Sequence, residues 1–103
     1  MASSADFEAA AEASRKLLAK PSDDELLSLY ALFKQGKQDP PFEKAPSPGM
    51  FDLKGKYKYG KWKEIVEEGV TPEQAQERYI ALVEKLKAKY GYDESKAPEA
   101  VGS

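Results

Sequence analysis

Apolar residues recur at intervals of three and four along most of this 103-residue chain, and that spacing constrains the fold more than any other feature. It places apolar side chains along one face of a helix. β-Branched residues nowhere alternate with polar residues over the length of a strand, as a half-buried strand would require. The sequence therefore predicts an all-α fold, and proline and glycine divide it into four helical segments.

The first half of the chain carries two of these segments. Apolar residues from Phe7 to Leu18 predict an amphipathic helix of about four turns. Ser22 and Glu25 have the spacing of a capping box, so a second helix is expected to begin there. Its apolar groups cover more than one face, which predicts contact with two neighbouring helices, and Gly36 is expected to weaken its end.

The second half carries the other two segments, after a loop. Residues 38–49 contain four prolines and are predicted to form a long loop. A third helix is predicted over roughly residues 55–68. Thr71, a following proline and Gln74 form the clearest helix start in the chain, and Gly91 is the expected end of the fourth helix.

The same patterns give expectations about domains and location. Residues 1–92 are predicted to form one domain, and residues 93–103 a flexible polar tail. No basic region precedes an apolar run at the start, and no stretch approaches the roughly 18 apolar residues of a membrane span. We therefore expect a cytoplasmic protein without stable membrane insertion. We also expect a monomer, because small bundles with capped helices are commonly monomers.

Composition removes several classes of chemistry. The chain has no cysteine and no histidine, which excludes disulfides, Cys/His zinc sites and Ser-His-Asp triads. Most of its carboxylates lie at predicted helix starts or on polar faces, where the helix dipole and solubility explain them. A net charge of −2 does not predict a nucleic-acid partner. We expect a binding protein, neither an enzyme nor a metal or cofactor protein.

One window departs from the average charge. Residues 54–63 hold five lysines and three aromatic residues without an acid, and with Asp52 included the window 52–63 carries a local charge of +4. Such a mixture suits a ligand with phosphates and a flat base, although a solvated helix face over a tryptophan core has the same composition. Residues 55–61 also match G-x-x-x-x-G-K. Trp62 occupies the Ser/Thr position of that motif and no strand precedes it, so a phosphate-binding loop is not favoured.

Tyr30, Phe33, Lys34 and Gln35 form a second candidate. Tyr30 and Lys34 are four residues apart and share a helix face, where a phenol and an ammonium group can reach one phosphate. The alternative is that Tyr30 and Phe33 belong to the core and Lys34 to the solvated surface. Arg15 is equally ambiguous by itself, and Tyr79 lies on the apolar stripe of the fourth helix, which favours a core position.

Three sequence motifs, in this order along the chain, resemble those of a known family. Residues 26–35 read LLSLYALFKQ, residues 48–62 read PGMFDLKGKYKYGKW, and residues 79–86 read YIALVEKL. Together they resemble the acyl-CoA-binding proteins over about residues 7–91. The resemblance implies an up-down-down-up four-helix bundle that binds medium- to long-chain fatty acyl-CoA esters without catalysis, and thus transports or buffers them inside the cell.

The resemblance also implies a binding site. The residues matching the family's CoA 3′-phosphate contacts are Tyr30, Lys34, Lys58 and Arg15, with Lys54 as a further basic contact. The segment Tyr30 to Lys34, which includes Ala31, Leu32 and Phe33, matches the adenine pocket, and Tyr79 matches a tyrosine that packs on the CoA head. Phe7 and Ala11 match positions of the acyl groove.

The sequence departs from the family's usual residues at several positions, including Arg15 for a lysine, Gly36 and Lys37 after Gln35, a longer loop over residues 38–48, and two aromatic positions. Phe33 stands where a tyrosine is common, and Tyr59 stands at a usual tryptophan. Two other classes of function remain open from the residues. A helical protein-interaction module would dock an acidic helix on the lysine and aromatic stripe. Peripheral binding to anionic lipid through residues 54–63 would need an exposed hydrophobic face.

Overall fold

The computed structural model describes residues 4–95 and contains four α-helices in that range. The helices are α1 (Ser4–Ser14), α2 (Asp23–Lys37), α3 (Leu53–Glu67) and α4 (Pro72–Tyr90), and a short 3-10 helix (Phe42–Lys44) lies in the loop after α2. Within the described residues there is no strand, only an isolated antiparallel pairing of Leu17 with Tyr92. The predicted all-α, four-helix fold is confirmed. None of the described helices is long and apolar enough to cross a membrane.

Contacts between α2 and α3 give their relative direction. The Lys58 ammonium lies over the ring of Tyr30, and five residues further along α2 the amide oxygen of Gln35 accepts from Trp62. Both partners advance together along their helices, so α2 and α3 are parallel. The long loop between them is what allows this, because a short connection would make neighbouring helices antiparallel.

Helix α4 runs against α2. Glu25, at the start of α2, accepts from Tyr90 at the end of α4, whereas Gly36 near the end of α2 accepts from Gln76 near the start of α4.

Helix α1 runs with α4, since Phe7 packs on Tyr79 and Leu17, after α1, pairs with Tyr92, beyond the end of α4. The order is therefore up-down-down-up.

Side-chain caps begin three of the helices. Ser22 and Thr71 each complete a capping box, with Glu25 and Gln74 respectively, as predicted. Asp52 accepts from the amide of Gly55, and α3 therefore begins at Leu53, two residues before the predicted start. Gly91 ends α4 with a positive φ of 83°, a conformation that favours glycine.

One predicted helix end was wrong. Helix α1 stops at Ser14 rather than near Leu18, because the chain turns there and then extends to pair with the segment after α4. Gly36 lies one residue before the end of α2 at Lys37. A Cβ at Gly36 would lie 2.9 Å from Gln76 Cγ and 3.1 Å from Phe7 Cζ, so the missing side chain permits close packing there.

The core lies among all four helices, with α2 in contact with both α3 and α4 and with α1 packed on α4. This confirms the two predicted neighbours of α2. The core consists of the following buried residues: Phe7, Ala10, Ala13, Leu17, Leu29, Ala31, Leu32, Trp62, Ile65, Val70, Ala75, Tyr79, Val83 and Leu86.

At the chain's end, the backbone amide of Asp93 donates to the carbonyl oxygen of Lys16 over 3.2 Å. Ordered contacts therefore extend one residue beyond the expected boundary at residue 92. Most of the predicted polar tail, residues 96–103, lies outside the described residues.

Candidate functional site

Three of the sequence-predicted residues meet between α2 and α3. Lys34 lies one turn after Tyr30 on α2, and its ammonium nitrogen is 5.7 Å from the centre of the Tyr30 ring. The Lys58 nitrogen reaches the same ring from α3, at 5.1 Å. All three side chains are half-buried. We call these residues the α2/α3 cluster. Burial raises the pKa of the Tyr30 phenol above its ordinary value, so at neutral pH the phenol keeps its proton and can donate it to an anion.

The positive charge of this cluster is not neutralised by nearby acids. Among residues 4–95, no carboxylate lies within ion-pair distance of Lys34, Lys58 or Lys54. Lys54 is exposed and lies one turn before Lys58 on the same side of α3. Three ammonium groups and a phenol are thus available to an anionic ligand on one side of the α2/α3 pair.

Next to this cluster, three aromatic rings from three helices pack together. Phe33 of α2 stacks on Phe7 of α1 with 5.5 Å between ring centres, and Tyr79 of α4 lies 5.3 Å from Phe7 and 5.8 Å from Phe33. Because Phe33 follows Tyr30 by three positions on α2, the aromatic group adjoins the cationic one. Phe7 and Tyr79 are buried and Phe33 is half-buried.

Arg15 lies near the hydroxyl of Tyr79. That hydroxyl donates to Ser14 Oγ over 3.2 Å, and Ser14 donates in turn to the carbonyl oxygen of Ala11 over 2.7 Å. Burial raises the pKa of Tyr79, whereas the bond to Ser14 and the positive charge of Arg15 act in the opposite direction. The exposed Arg15 side chain therefore places a cation at the edge of the aromatic group.

The remaining sequence-predicted residues lie deeper or at the margin. The side chains of Ala31 and Leu32 are buried in the core, with exposed fractions of 0% and 9%, so they offer a ligand little side-chain surface. Ala11 is half-buried and packs against the core near Ser14. The ligand-accessible part of the segment Tyr30 to Lys34 is therefore Tyr30, Phe33 and Lys34.

The sequence singles out Gln35 as a candidate residue but does not predict that its side chain links helices. Its buried amide nitrogen donates to the carbonyl oxygen of Val70 over 2.8 Å, and its amide oxygen accepts from the Trp62 indole over 3.0 Å. One side chain thus joins α2 to α3 and to the turn before α4. The available signal was a glutamine directly after Lys34, in a helix whose apolar groups already predicted two neighbours.

Comparison with known proteins identifies the family. The family model described as "Acyl CoA binding protein" matches residues 4–83. Acyl-CoA-binding protein homolog 1 of Caenorhabditis elegans is 51% identical over 85 residues, which cover 82% of this chain and 94% of that protein. Acyl-CoA-binding protein of Saccharomyces cerevisiae is 47% identical over 87 residues, covering 82% of this chain and 92% of that protein.

A solved structure of a protein with the same family name has a similar fold. The crystal structure of Oryza sativa Acyl-CoA-Binding Protein 2 matches with a TM-score of 0.72 and 33% sequence identity, covering 90% of this chain and 97% of that one. A four-helix fold, a cationic and aromatic site and these matches lead to one classification. This chain belongs to the acyl-CoA-binding protein family.

Proposed function

We propose that this protein binds medium- to long-chain fatty acyl-CoA esters without catalysis and thereby transports and buffers them in the cytoplasm. The observation that carries the proposal is the α2/α3 cluster, in which a neutral phenol and two ammonium groups from different helices face one position without a competing carboxylate. The family relationship supports the same class of ligand.

The phosphates of CoA are the proposed partners of the cations. Lys34 and Lys58 bind the ribose 3′-phosphate from two sides while Tyr30 donates a hydrogen bond to it. Lys54 and Arg15, at the margins, add charge toward the remaining phosphates. Each charge-assisted hydrogen bond contributes about 1.5–3 kcal/mol before desolvation. Two such bonds are enough to separate a CoA ester from an uncharged analogue by orders of magnitude.

The aromatic group is the proposed contact for the rest of the ligand. The adenine ring binds along Tyr30 to Lys34, chiefly against the half-buried Phe33, and Tyr79 supports that surface from α4. The acyl chain lies in the groove beside Phe7 and Ala11. Each buried methylene adds about 0.8 kcal/mol, so longer chains bind more tightly until the groove is filled.

The proposed role requires no reaction. The ligand is bound and released unchanged, and the acidic side chains keep their roles as caps and surface charges, as Glu25 and Asp52 do here. We propose that a single chain is the functional unit, since the α2/α3 cluster and the aromatic group both come from one copy.

Calorimetry with three ligands tests the proposal. Palmitoyl-CoA is expected to bind saturably and one to one, free CoA much more weakly because it lacks the tail, and palmitate much more weakly because it lacks the phosphates. Absence of saturable palmitoyl-CoA binding would contradict the proposal and favour a protein-interaction module. Equal affinity for palmitate and palmitoyl-CoA would contradict the role of the cationic cluster.

A further inference from the structure

The start of α3 exposes four large apolar side chains that the proposed acyl-CoA site does not use. Phe51 is 91% exposed, Met50 76%, Tyr57 67% and Leu53 65%. Met50 and Phe51 lie in the turn before α3, and Leu53 and Tyr57 lie on its first two turns. We call these four residues the apolar tip. Exposed large apolar side chains gathered at one place are typical of an interaction surface.

The position of the apolar tip on α3 is unusual for a helix of a globular protein. Trp62 and Ile65 of α3 face the core, so the inward side of this helix is already apolar. Leu53 and Tyr57 are four residues apart and lie on the opposite, outward side, given 3.6 residues per turn. The first two turns of α3 therefore carry an outward apolar stripe of Leu53 and Tyr57 that the rest of the bundle does not cover, and the same side continues with Gly60 and Glu64.

Lysines flank this outward stripe on both sides. Helical geometry places Lys56 and Lys63 along one border and Lys54 and Lys61 along the other. Lys54, Lys56 and Lys63 have no ion pair within the described residues, and Lys61 pairs with Glu64 at 3.4 Å.

Besides Glu64, the other acid near the apolar tip is Asp52, which caps α3 by accepting a hydrogen bond from the amide of Gly55. Four lysines against two acids leave the surface around the apolar tip positive.

We propose that the apolar tip and its flanking lysines form a docking surface for a lipid bilayer with anionic headgroups. The apolar side chains enter the interface between headgroups and acyl chains, and the lysines extend their ammonium groups to the headgroup phosphates and carboxylates. The docking is shallow and reversible, consistent with the expectation of no stable insertion. It does not depend on the proposed ligand.

A bilayer fits this surface better than an acidic protein does. The apolar side chains project from a turn and a convex helix rather than lining a groove, and a Cβ at the outward Gly60 would meet nothing within 4 Å. All four flanking cations are lysines, whereas protein interfaces are enriched in arginine and depleted in lysine. Projecting apolar groups bordered by lysine are the pattern of helices that lie in a membrane interface.

Sedimentation with vesicles tests the proposal, using the full chain without acyl-CoA. The vesicles contain phosphatidylcholine alone or with about 30 mol% phosphatidylserine. The wild-type protein is expected to bind only the anionic vesicles. The Phe51→Ser/Leu53→Ser variant and the Lys56→Gln/Lys63→Gln variant are each expected to lose about tenfold or more in affinity. Binding should also weaken as the salt concentration rises from about 0.1 to about 0.5 M.

Matched variants elsewhere control for general apolarity and charge. Leu18→Ser removes another exposed leucine, and Lys20→Gln/Lys85→Gln removes two exposed lysines, all outside the docking surface, so both should bind vesicles like the wild type. The docking variants should also keep their helical circular dichroism and their palmitoyl-CoA affinity in solution, which distinguishes loss of docking from loss of ligand binding. The proposal is overturned if the wild type ignores anionic vesicles, if the docking variants bind them unchanged, or if the surface captures an acidic helical peptide but no vesicle.

Discussion

At the scale of single residues, Lys34 and Lys58 carry the clearest prediction for ligand binding. Replacing either lysine with alanine removes one ammonium group from the α2/α3 cluster. The fold should stay intact, because both side chains are only half-buried and neither belongs to the core. We expect palmitoyl-CoA affinity to fall at least about tenfold for each variant, as loss of one charge-assisted bond requires. Calorimetry measures the affinity, and circular dichroism checks the fold.

A lysine outside the site supplies the control for this prediction. Lys85→Ala removes an exposed ammonium group from α4 and should leave the affinity within about twofold of wild type. Lys58→Arg keeps the charge and should keep most of the binding. Unchanged affinity in both Lys34→Ala and Lys58→Ala would show that CoA phosphates bind elsewhere.

Glu25 carries a prediction about pH. Its carboxylate accepts from Tyr90, from the backbone amide of Ser22 and from Lys89, and these bonds lower its pKa from 4.5 to about 2. Because the folded-state pKa is lowered, the stabilisation is present above pH 4.5 and is lost as the pH falls from there toward 2. The bonds from Tyr90 and Lys89 to Glu25 link the end of α4 to the start of α2.

The corresponding experiment compares unfolding of the wild type and Glu25→Gln by urea. The wild type should be more stable near neutral pH, and the difference should shrink as the pH falls from about 6 to about 2.5. Glu67→Gln, at an exposed position on α3, should differ from the wild type far less at every pH. A stability difference for Glu25→Gln that does not change with pH would contradict the assignment.

Phe33 and Tyr59, the two aromatic departures from the family's usual residues, both pack against other aromatic rings. Phe33 stacks on Phe7 and touches Tyr79, so the ring is retained where the hydroxyl is absent. Tyr59 packs against Phe42, with 4.9 Å between ring centres, and Phe42 in turn meets Trp62. The loop after α2 is therefore anchored to α3 by aromatic contacts.

At the scale of elements, two helical glycines give a matched pair of predictions. Gly36→Ala in α2 would place a methyl group against Gln76 and Phe7, and overpacking of this kind costs about 1–3 kcal/mol, more than the gain in helix propensity. Gly60→Ala in α3 meets nothing within 4 Å and should stabilise the protein by up to about 1 kcal/mol. Urea unfolding measures both; stabilisation by Gly36→Ala would show that α2 and α4 are not closely packed there.

Helix starts were predictable and helix ends less so. The capping boxes at Ser22 and Thr71 are local, since a side chain bonds an amide three residues away. The end of α1 is not local. Its apolar spacing continues to Leu18, but the backbone leaves the helix because the segment after α4 offers a pairing partner. The close packing at Gly36 is likewise not local, because its neighbours, Phe7 and Gln76, are distant in sequence.

At the scale of the whole molecule, the pairing of Leu17 with Tyr92 predicts how far the domain extends. A chain ending after Ser95 should match the full chain in stability and palmitoyl-CoA affinity. A chain ending after Tyr90 loses the bonds from Leu18 to Gly91 and from Asp93 to Lys16, and should be less stable by about 1–3 kcal/mol. Thermal unfolding of the two truncated chains measures the difference. Equal stability would place the boundary at the end of α4.

The net charge of the whole molecule gives no indication of the local positive charge at the candidate site. The chain sums to −2, yet residues 52–63 alone carry +4, and in the fold Lys34 joins them from α2. The local excess is visible in the sequence because five lysines fall within ten residues, 54–63, of one helix. The contribution of Lys34, and that of Arg15 beside Tyr79, depends on helix packing.

The sequence by itself determined the four helices, most of their starts and the cationic character of α3, because capping, apolar spacing and local charge act over one or two turns. The family resemblance implied the up-down-down-up order and the grouping of Tyr30, Lys34 and Lys58, but only the tertiary structure gives the contacts that produce them. Lys34 and Lys58 share the ring of Tyr30, and Gln35 joins α2 to α3 and to the turn before α4. The tertiary structure also decided that the apolar residues at the start of α3 stay exposed. These features depend on contacts between distant residues, which no local pattern encodes.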